Sequence, residues 1–212
     1  DCRSNQLTKL DVSKNTALTE LDCRSNQLTK LDVSKNTVLT TLYCWDNQLT
    51  KLDVSKNTAL TDLACYNNQL TSLDVSKNTA LTYLDCDNNQ LTSLDISNTN
   101  TDNLTCRDNI YQIVVDNDRT FDLSTLPGNF DVAKTSDWSG GKDTVTYKYD
   151  CGKGRSVTFT LKFVGLFADY TKVDEAIAKA NALNKDDYKD FTGVEAAVNA
   201  VVRGKNITEQ SE

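Results

Sequence analysis

Apolar residues in the first half of the chain recur on a fixed beat. One unit reads LTELDCRSNQLTKLDVSKNTV, from Leu18 to Val38, and the next opens LTTLYCWDNQL at Leu39. Each unit splits into two similar halves, LTxLxCxxNQ and LTKLDVSKNTx, with Leu, Leu, an apolar residue and Asn at matching offsets. Within L-x-C and L-x-V the apolar positions alternate, which is the period of an extended strand. No stretch of 1–106 carries a convincing i, i+3, i+4, i+7 stripe. The pattern predicts a coil whose every turn holds two short extended segments on opposite sides and no helix.

One turn cannot bury its own Leu, Cys and Val, but turns stacked at about 4.8 Å can. Leu21, Cys23 and Leu28 are expected to point inward on one side, with Leu31 and Val33 on the other. Two asparagine columns should mark the corners. One runs Asn5, Asn26, Asn47, Asn68, Asn89 and Asn109, and the other Asn15, Asn36, Asn57, Asn78 and Asn98. An inward Asn can satisfy the backbone of its own turn and of its neighbour.

The cysteines follow the same beat. Cys2, Cys23, Cys44, Cys65 and Cys86 stand 21 apart, and Cys106 follows after 20. No close C-x2-C pair of a zinc site occurs, and neighbouring parallel strands do not present cysteines in disulfide geometry. They read as small buried apolar side chains with inert thiols. Cys151 lies outside the ladder and reads as a free cysteine in a turn.

This unit resembles the leucine-rich repeat, L-x-x-L-x-(L/C)-x-x-N-x-L. The short repeat with Cys at a core position is similar to bacterial internalin-type repeats with an internalin-J-like cysteine ladder. The resemblance implies an extracellular bacterial surface protein that binds through the repeat face. Solenoid character is expected over 1–112. The chain begins in mid-repeat and without Met, so it reads as a fragment or processed product.

Past residue 106 the period decays. IYQIVV reads as a strand, FDLSTLPGNFDVAKTSDWSGG as loops and irregular turns, and TVTYKYDCGKGRSVTFTLKF as a hairpin around CGKG. The phenylalanines and most of the tyrosines fall here. An aromatic β cap closing the open apolar end is expected over 113–166. Over 167–212, Val173, Ala176, Ile177 and Ala180 have helix spacing, as do Val194, Ala197, Val198 and Val201, with Thr192 and Glu195 as a capping box. This stretch resembles a partial three-helix FIVAR module of large bacterial surface and carbohydrate-active proteins.

Composition narrows the chemistry. There is no histidine, which removes the commonest general base and the commonest zinc ligand. The net charge of −7 argues against a nucleic-acid partner, and no apolar run approaches a membrane span. DNDRTFD at 116–122 has the look of a calcium loop but lacks the glycine and glutamate that such a loop needs. A glycosidase needs two carboxylates at controlled separation in a cleft, and a regular ladder offers none. No cofactor or metal is expected, and no catalysis.

Comparing repeats within the chain locates candidate binding residues. The LTKLDVSKNTA side is nearly invariant. Its Asp11, Asp32, Asp53, Asp74 and Asp95 column should be partly offset by Lys9, Lys30 and Lys51, and it reads as scaffold. The LxxLxCxxN side varies at its outward positions. All four aromatics of the first 105 residues fall there: Tyr43, Trp45, Tyr66 and Tyr83. The expected site is a shallow dip with Ala64 as floor and these rings as walls. Acceptors come from Asp46, Asp62, Asp85 and Asp87, and Arg24 reaches the Trp45 face. It fits a protein or peptide partner, or a glycan stacked on Trp45 or Tyr66. Drift of a spacer surface is the remaining alternative.

Overall fold

The computed structural model describes residues 1–115, 121–141 and 143–164, together with residue 178. The expected helical module at 167–212 and most of the calcium-like DNDRTFD segment lie outside the described residues. Backbone contacts divide the chain into two units: Asp1–Ile113 with Asp122–Phe163, and Val114–Phe121 with Val164–Glu212. The first carries everything discussed below.

Five three-residue strands form a parallel sheet in the order β1-β2-β3-β4-β5: Glu20–Asp22, Thr41–Tyr43, Asp62–Ala64, Tyr83–Asp85 and Asn103–Thr105. The register repeats without slip, with Leu21, Leu42, Leu63, Leu84 and Leu104 in line. Hydrogen bonds run on beyond each strand, with Cys23 N–H to Tyr43 O at 2.9 Å and Cys44 N–H to Ala64 O at 2.9 Å. Leu28, Leu39, Leu42, Leu49, Leu60, Leu63 and Leu70 are wholly buried, as are Cys23, Cys44, Cys65 and Cys86. Each buried aliphatic side chain contributes about 2 kcal/mol. The stacked turns up to Cys106 therefore form a leucine-rich-repeat solenoid with a cysteine ladder through its core.

The second extended segment did not form. The LTKLDVSKNT half has no ladder and consists of turns linked by single rungs, such as Gln48 N–H to Leu28 O at 2.9 Å. Each Asp there takes the N–H of the serine two residues on, Asp32 Oδ1 from Ser34 at 2.9 Å for example, and this turn displaces strand pairing. Those bonds from serine hold Asp11, Asp32 and Asp53 below the ordinary carboxylate range. Serine, more than the Lys9, Lys30 and Lys51 column, keeps the stacked carboxylates charged.

Corners carry the polar ladders. Ser25, Asp46, Asn67, Asn88 and Asp108 each take a left-handed φ of 50–55° immediately before a ladder asparagine. Short polar residues tolerate this backbone best. Asn47 Nδ2 donates to Cys23 O, Cys44 O and Trp45 O at 3.1, 3.1 and 3.2 Å, and its Oδ1 accepts from Leu28 N–H at 2.9 Å. The same pattern recurs at Asn26, Asn68 and Asn89, and at Asn109 with Cys106 Sγ in place of the carbonyl of its own turn's cysteine. In the opposite column Asn36, Asn57 and Asn78 are fully buried, but Asn98 is exposed. The turn loses its residue after Thr99, so Thr99 takes the buried corner and donates to Ile96 O at 2.9 Å. Alignment by residue type alone misplaced that member by one.

The cap is a second, four-stranded sheet ordered β6-β9-β8-β7: Asn109–Val114, Arg155–Val164, Thr144–Gly152 and Thr135–Gly140. Strands β8 and β9 form the expected hairpin, turning at Lys153 and Gly154 with φ of 56° and 68°. Strand β7 lies inside the segment read as loops. Trp138 on it stacks on Tyr147 at 4.6 Å. Cys151 is not in a turn. It sits fully buried at the end of β8, and its carbonyl accepts from Ile96 N–H at 2.9 Å. The cap is tied down by Tyr147 OH to Thr92 O at 2.6 Å, and by Ser93 Oγ to Gly128 O at 2.6 Å.

Candidate functional site

The outward side chains of the five strands form three rows. The first runs Glu20, Thr41, Asp62, Tyr83, Asn103, and the second Asp22, Tyr43, Ala64, Asp85, Thr105. The third lies just past the strands as Arg24, Trp45, Tyr66, Asp87, Arg107, aligned by Ser25 N–H to Trp45 O and its equivalents. Alternation sends these positions out because the leucines and cysteines between them point in.

A concavity of about 400 Å³ opens across all three rows, lined by Arg24, Tyr43, Trp45, Asp62, Ala64, Tyr66 and Tyr83. Ala64 is buried at its floor, and the three tyrosines and Trp45 are half-buried around it. Trp45 and Tyr66 stack at 4.8 Å with planes 14° apart, and the Arg24 guanidinium lies 5.0 Å from the Trp45 ring centre. Arg24 comes from the preceding turn and Tyr66 from the following one, so Trp45 is held between a cation and a ring.

The acidic residues divide into engaged and open groups. Asp87 is buried and receives Arg107 Nε and Nη2 at 3.1 and 2.9 Å. It therefore serves the last turn rather than the dip. Asp22 is likewise buried, within 3.4 Å of Arg24 and 3.6 Å of Arg3. Asp46 accepts from Asn67 at 2.6 Å, and Asp85 from the Tyr83 hydroxyl at 3.4 Å and Asp87 N–H at 3.2 Å. Neither Asp46 nor Asp85 lines the concavity. Asp62 does, and receives only the Thr61 hydroxyl at 2.7 Å, with no cation paired to it among the described residues. Burial, then the neighbouring carboxylates, push up the phenols of Tyr43, Tyr66 and Tyr83, so all three remain hydrogen-bond donors at neutral pH.

Among the described residues no cluster of His, Cys, Asp or Glu could hold a metal ion, and no helix is long and apolar enough to cross a membrane. The buried ladder thiols, from Cys23 onward, are not reactive groups. Burial pushes Cys23 up to about 12, and Cys44 well above its ordinary value.

Sequence reasoning missed a second concavity of about 370 Å³. It lies where the cap loop crosses the invariant side, between Ser72, Asp74, Ser93, Asp95, Gly128, Lys134 and Tyr149. A signal for it exists. The Lys9, Lys30, Lys51 column becomes Ser72 and Ser93 in the last two turns. A lysine there would occupy the path of Gly128, where even an added Cβ would fall 2.8 Å from Ser93 Oγ. Lys134 crosses to Asp95 at 3.0 Å, so this cavity is the seam of the docked cap.

No family profile and no curated protein matches the chain. Solved structures do. The chain is similar to the functional domain of InlJ from Listeria monocytogenes, which includes a cysteine ladder, at 26% identity and a TM-score of 0.44. That match covers 77% of this chain and 52% of the other, so the chain spans about half the length of that structure. It is also similar to the internalin InlF from Listeria monocytogenes, at 30% identity and a TM-score of 0.40, over 41% of this chain and 27% of that one.

Proposed function

We propose that the solenoid is a non-catalytic binding module of a bacterial surface or secreted protein, and that its variable strand face takes a protein or peptide partner. The observation that carries this is the aromatic concavity around Ala64. Four half-buried rings gather on the one face where the repeat makes no packing demand. Tyr and Trp present large contact area at low entropic cost, and a cluster of them on an otherwise polar sheet is the composition of an anchor patch. The internalin-type repeat pattern points the same way. The burial of every ladder thiol but Cys2 is compatible with an oxidising exterior.

A glycan is less well served. Of the two rings expected to stack on a sugar, Trp45 and Tyr66, each already covers a face of the other, and Trp45 also carries Arg24. The test is a host-protein pull-down run beside a glycan array, comparing wild type with the Tyr43→Ala, Trp45→Ala, Tyr66→Ala triple variant. Protein capture lost in the variant supports the reading. Equal capture by both removes the aromatic face from the function, and glycan signals alone, lost in the variant, transfer the face to the carbohydrate class.

A further inference from the structure

Resting on that reading, we infer that the Ala64 dip is a receptor for one basic side chain, a lysine or arginine of the partner, held between Tyr43 and Tyr83 with its charge at Asp62. Four observations converge on it.

The first is the charge map of the rows. The third row begins and ends in arginine, at Arg24 and Arg107, whereas the first two contain Glu20, Asp22, Asp62 and Asp85 and no cation. The second is that the cations nearby are committed. Arg24 is spent on Asp22 and the Trp45 ring, and Arg107 on Asp87. Asp62 at the dip is left with a threonine hydroxyl. The third is the floor. Ala64 replaces the longer Asp22, Tyr43, Asp85 and Thr105 of its row, and register places Tyr43 directly beside it and Tyr83 directly beside Asp62. The missing side chain opens a slot whose walls are two phenol rings and whose rim is a carboxylate. The fourth is precedent within the same face, since the protein already seats a guanidinium on Trp45 at 5.0 Å.

Ring faces carry negative quadrupole density and attract ammonium and guanidinium groups, the more so beside an unpaired carboxylate. A neutral amide of equal length gains neither contribution. A carboxylate is repelled by Asp62 and by the Glu20, Asp22 and Asp85 of the same two rows. The alkyl stem of lysine or arginine covers the Ala64 floor, which gives the slot its apolar share.

The test titrates the full chain, observed by amide NMR, with the blocked tripeptides Gly-Lys-Gly, Gly-Arg-Gly and Gly-Gln-Gly and with a disaccharide panel. The expected result is that the basic peptides move the amides of Tyr43, Ala64 and Tyr83, and bind at least about fivefold more tightly than the glutamine peptide. That preference should weaken in high salt and fall to near parity in Asp62→Asn. Tyr83→Ala serves as the second variant, and a thermal melt of each variant establishes that it folds. Equal binding of lysine and glutamine peptides, basic peptides indifferent to both variants, or no shift with any tripeptide overturns the basic anchor. Each of those results leaves the protein-partner reading to its own pull-down. A disaccharide that moves the same amides overturns both.

Discussion

The two asparagine columns look alike in sequence and are both buried through the middle turns, yet they should differ sharply in what they contribute. Removing the Asn47 amide leaves Cys23 O with Asn26, Cys44 O with Asn68 and Trp45 O with Ser25 N–H. Leu28 N–H, buried, loses the Asn47 oxygen at 2.9 Å that satisfies it. An orphaned buried donor costs about 1–3 kcal/mol, and the lost amide bonds add about 1, so Asn47→Ala should cost about 3 kcal/mol. Asn57 differs. Its Nδ2 donates to Val33 O and Asn36 O at 3.0 and 2.8 Å, but those carbonyls keep Asn36 N–H and Leu39 N–H. Its Oδ1 is buried without a partner. Asn57→Ala therefore strands no donor and relieves an unsatisfied oxygen, for a net cost of about 1 kcal/mol. For a chain of this size the two values correspond to melting-point losses of about 9 °C and about 3 °C. The repeat has run a version of this experiment. The turn that begins at Leu81 keeps Asn89 in the first column and puts Thr99 in the second. Thermal melts followed by circular dichroism decide it, with Asn47→Thr and Asn57→Thr as companions. A second-column loss equal to or larger than the first would refute the connectivity reasoning.

Three further outcomes are expected. In a native thiol assay with an aromatic disulfide, Cys2 alone should react, because the other six are buried; denaturant should release all seven. Tyr147→Phe should cost about 2 kcal/mol by unpairing Thr92 O in the cap seam, seen as a lower melting point with the strand signal of the solenoid intact. Asp95 is held down to about 2, first by the Ser97 hydroxyl and further by Ser97 N–H and Lys134. A depressed carboxyl stabilises the fold above its ordinary value of 3.8 and loses that contribution as pH falls through about 2. Asp95→Asn should therefore melt lower than wild type at neutral pH, and the gap should close across that window; a gap independent of pH would refute the assignment.

What could be read from sequence followed from what the repeat makes compulsory. The inward Leu and Cys positions, the first asparagine column and the outward rows are visible because stacking demands the same residue at the same place in each turn. The setting of Ala64 was legible too, since strand register puts Tyr43 directly beside that small residue and Tyr83 one turn on, two residues displaced, beside Asp62. Charge pairing was not. Asp85 and Asp87 look equivalent in sequence, but Asp87 lies one turn before Arg107 and is captured by it, which removes it from any rim. Strand pairing on the second side was over-read because the same L-x-V alternation serves an Asp-Ser turn as well as a strand. The cap was partly legible: its hairpin has alternation on both arms, whereas β7 and Cys151 take their place from contacts with residues far away in sequence.

The same constraints explain why variation and aromatic residues collect where they do. At the corners a left-handed backbone must be occupied by a short polar residue, and the buried amide beside it must stay. On the turn side each Asp is committed to a serine N–H, and at the entry to the strands Thr40, Thr61 and Thr82 each donate to the threonine carbonyl one turn back. Inward positions are close-packed. That leaves the three outward rows as the places where a large side chain costs nothing in the fold. Four rings within three consecutive turns, two of them stacked, one directly beside Ala64 and one directly beside Asp62, are arranged about a point rather than spread along the coil. A scaffold needs no such point. Under the proposed function a partner would, because specificity requires unlike groups at fixed positions, and the dip supplies rings, a carboxylate and a bare floor within reach of a single side chain.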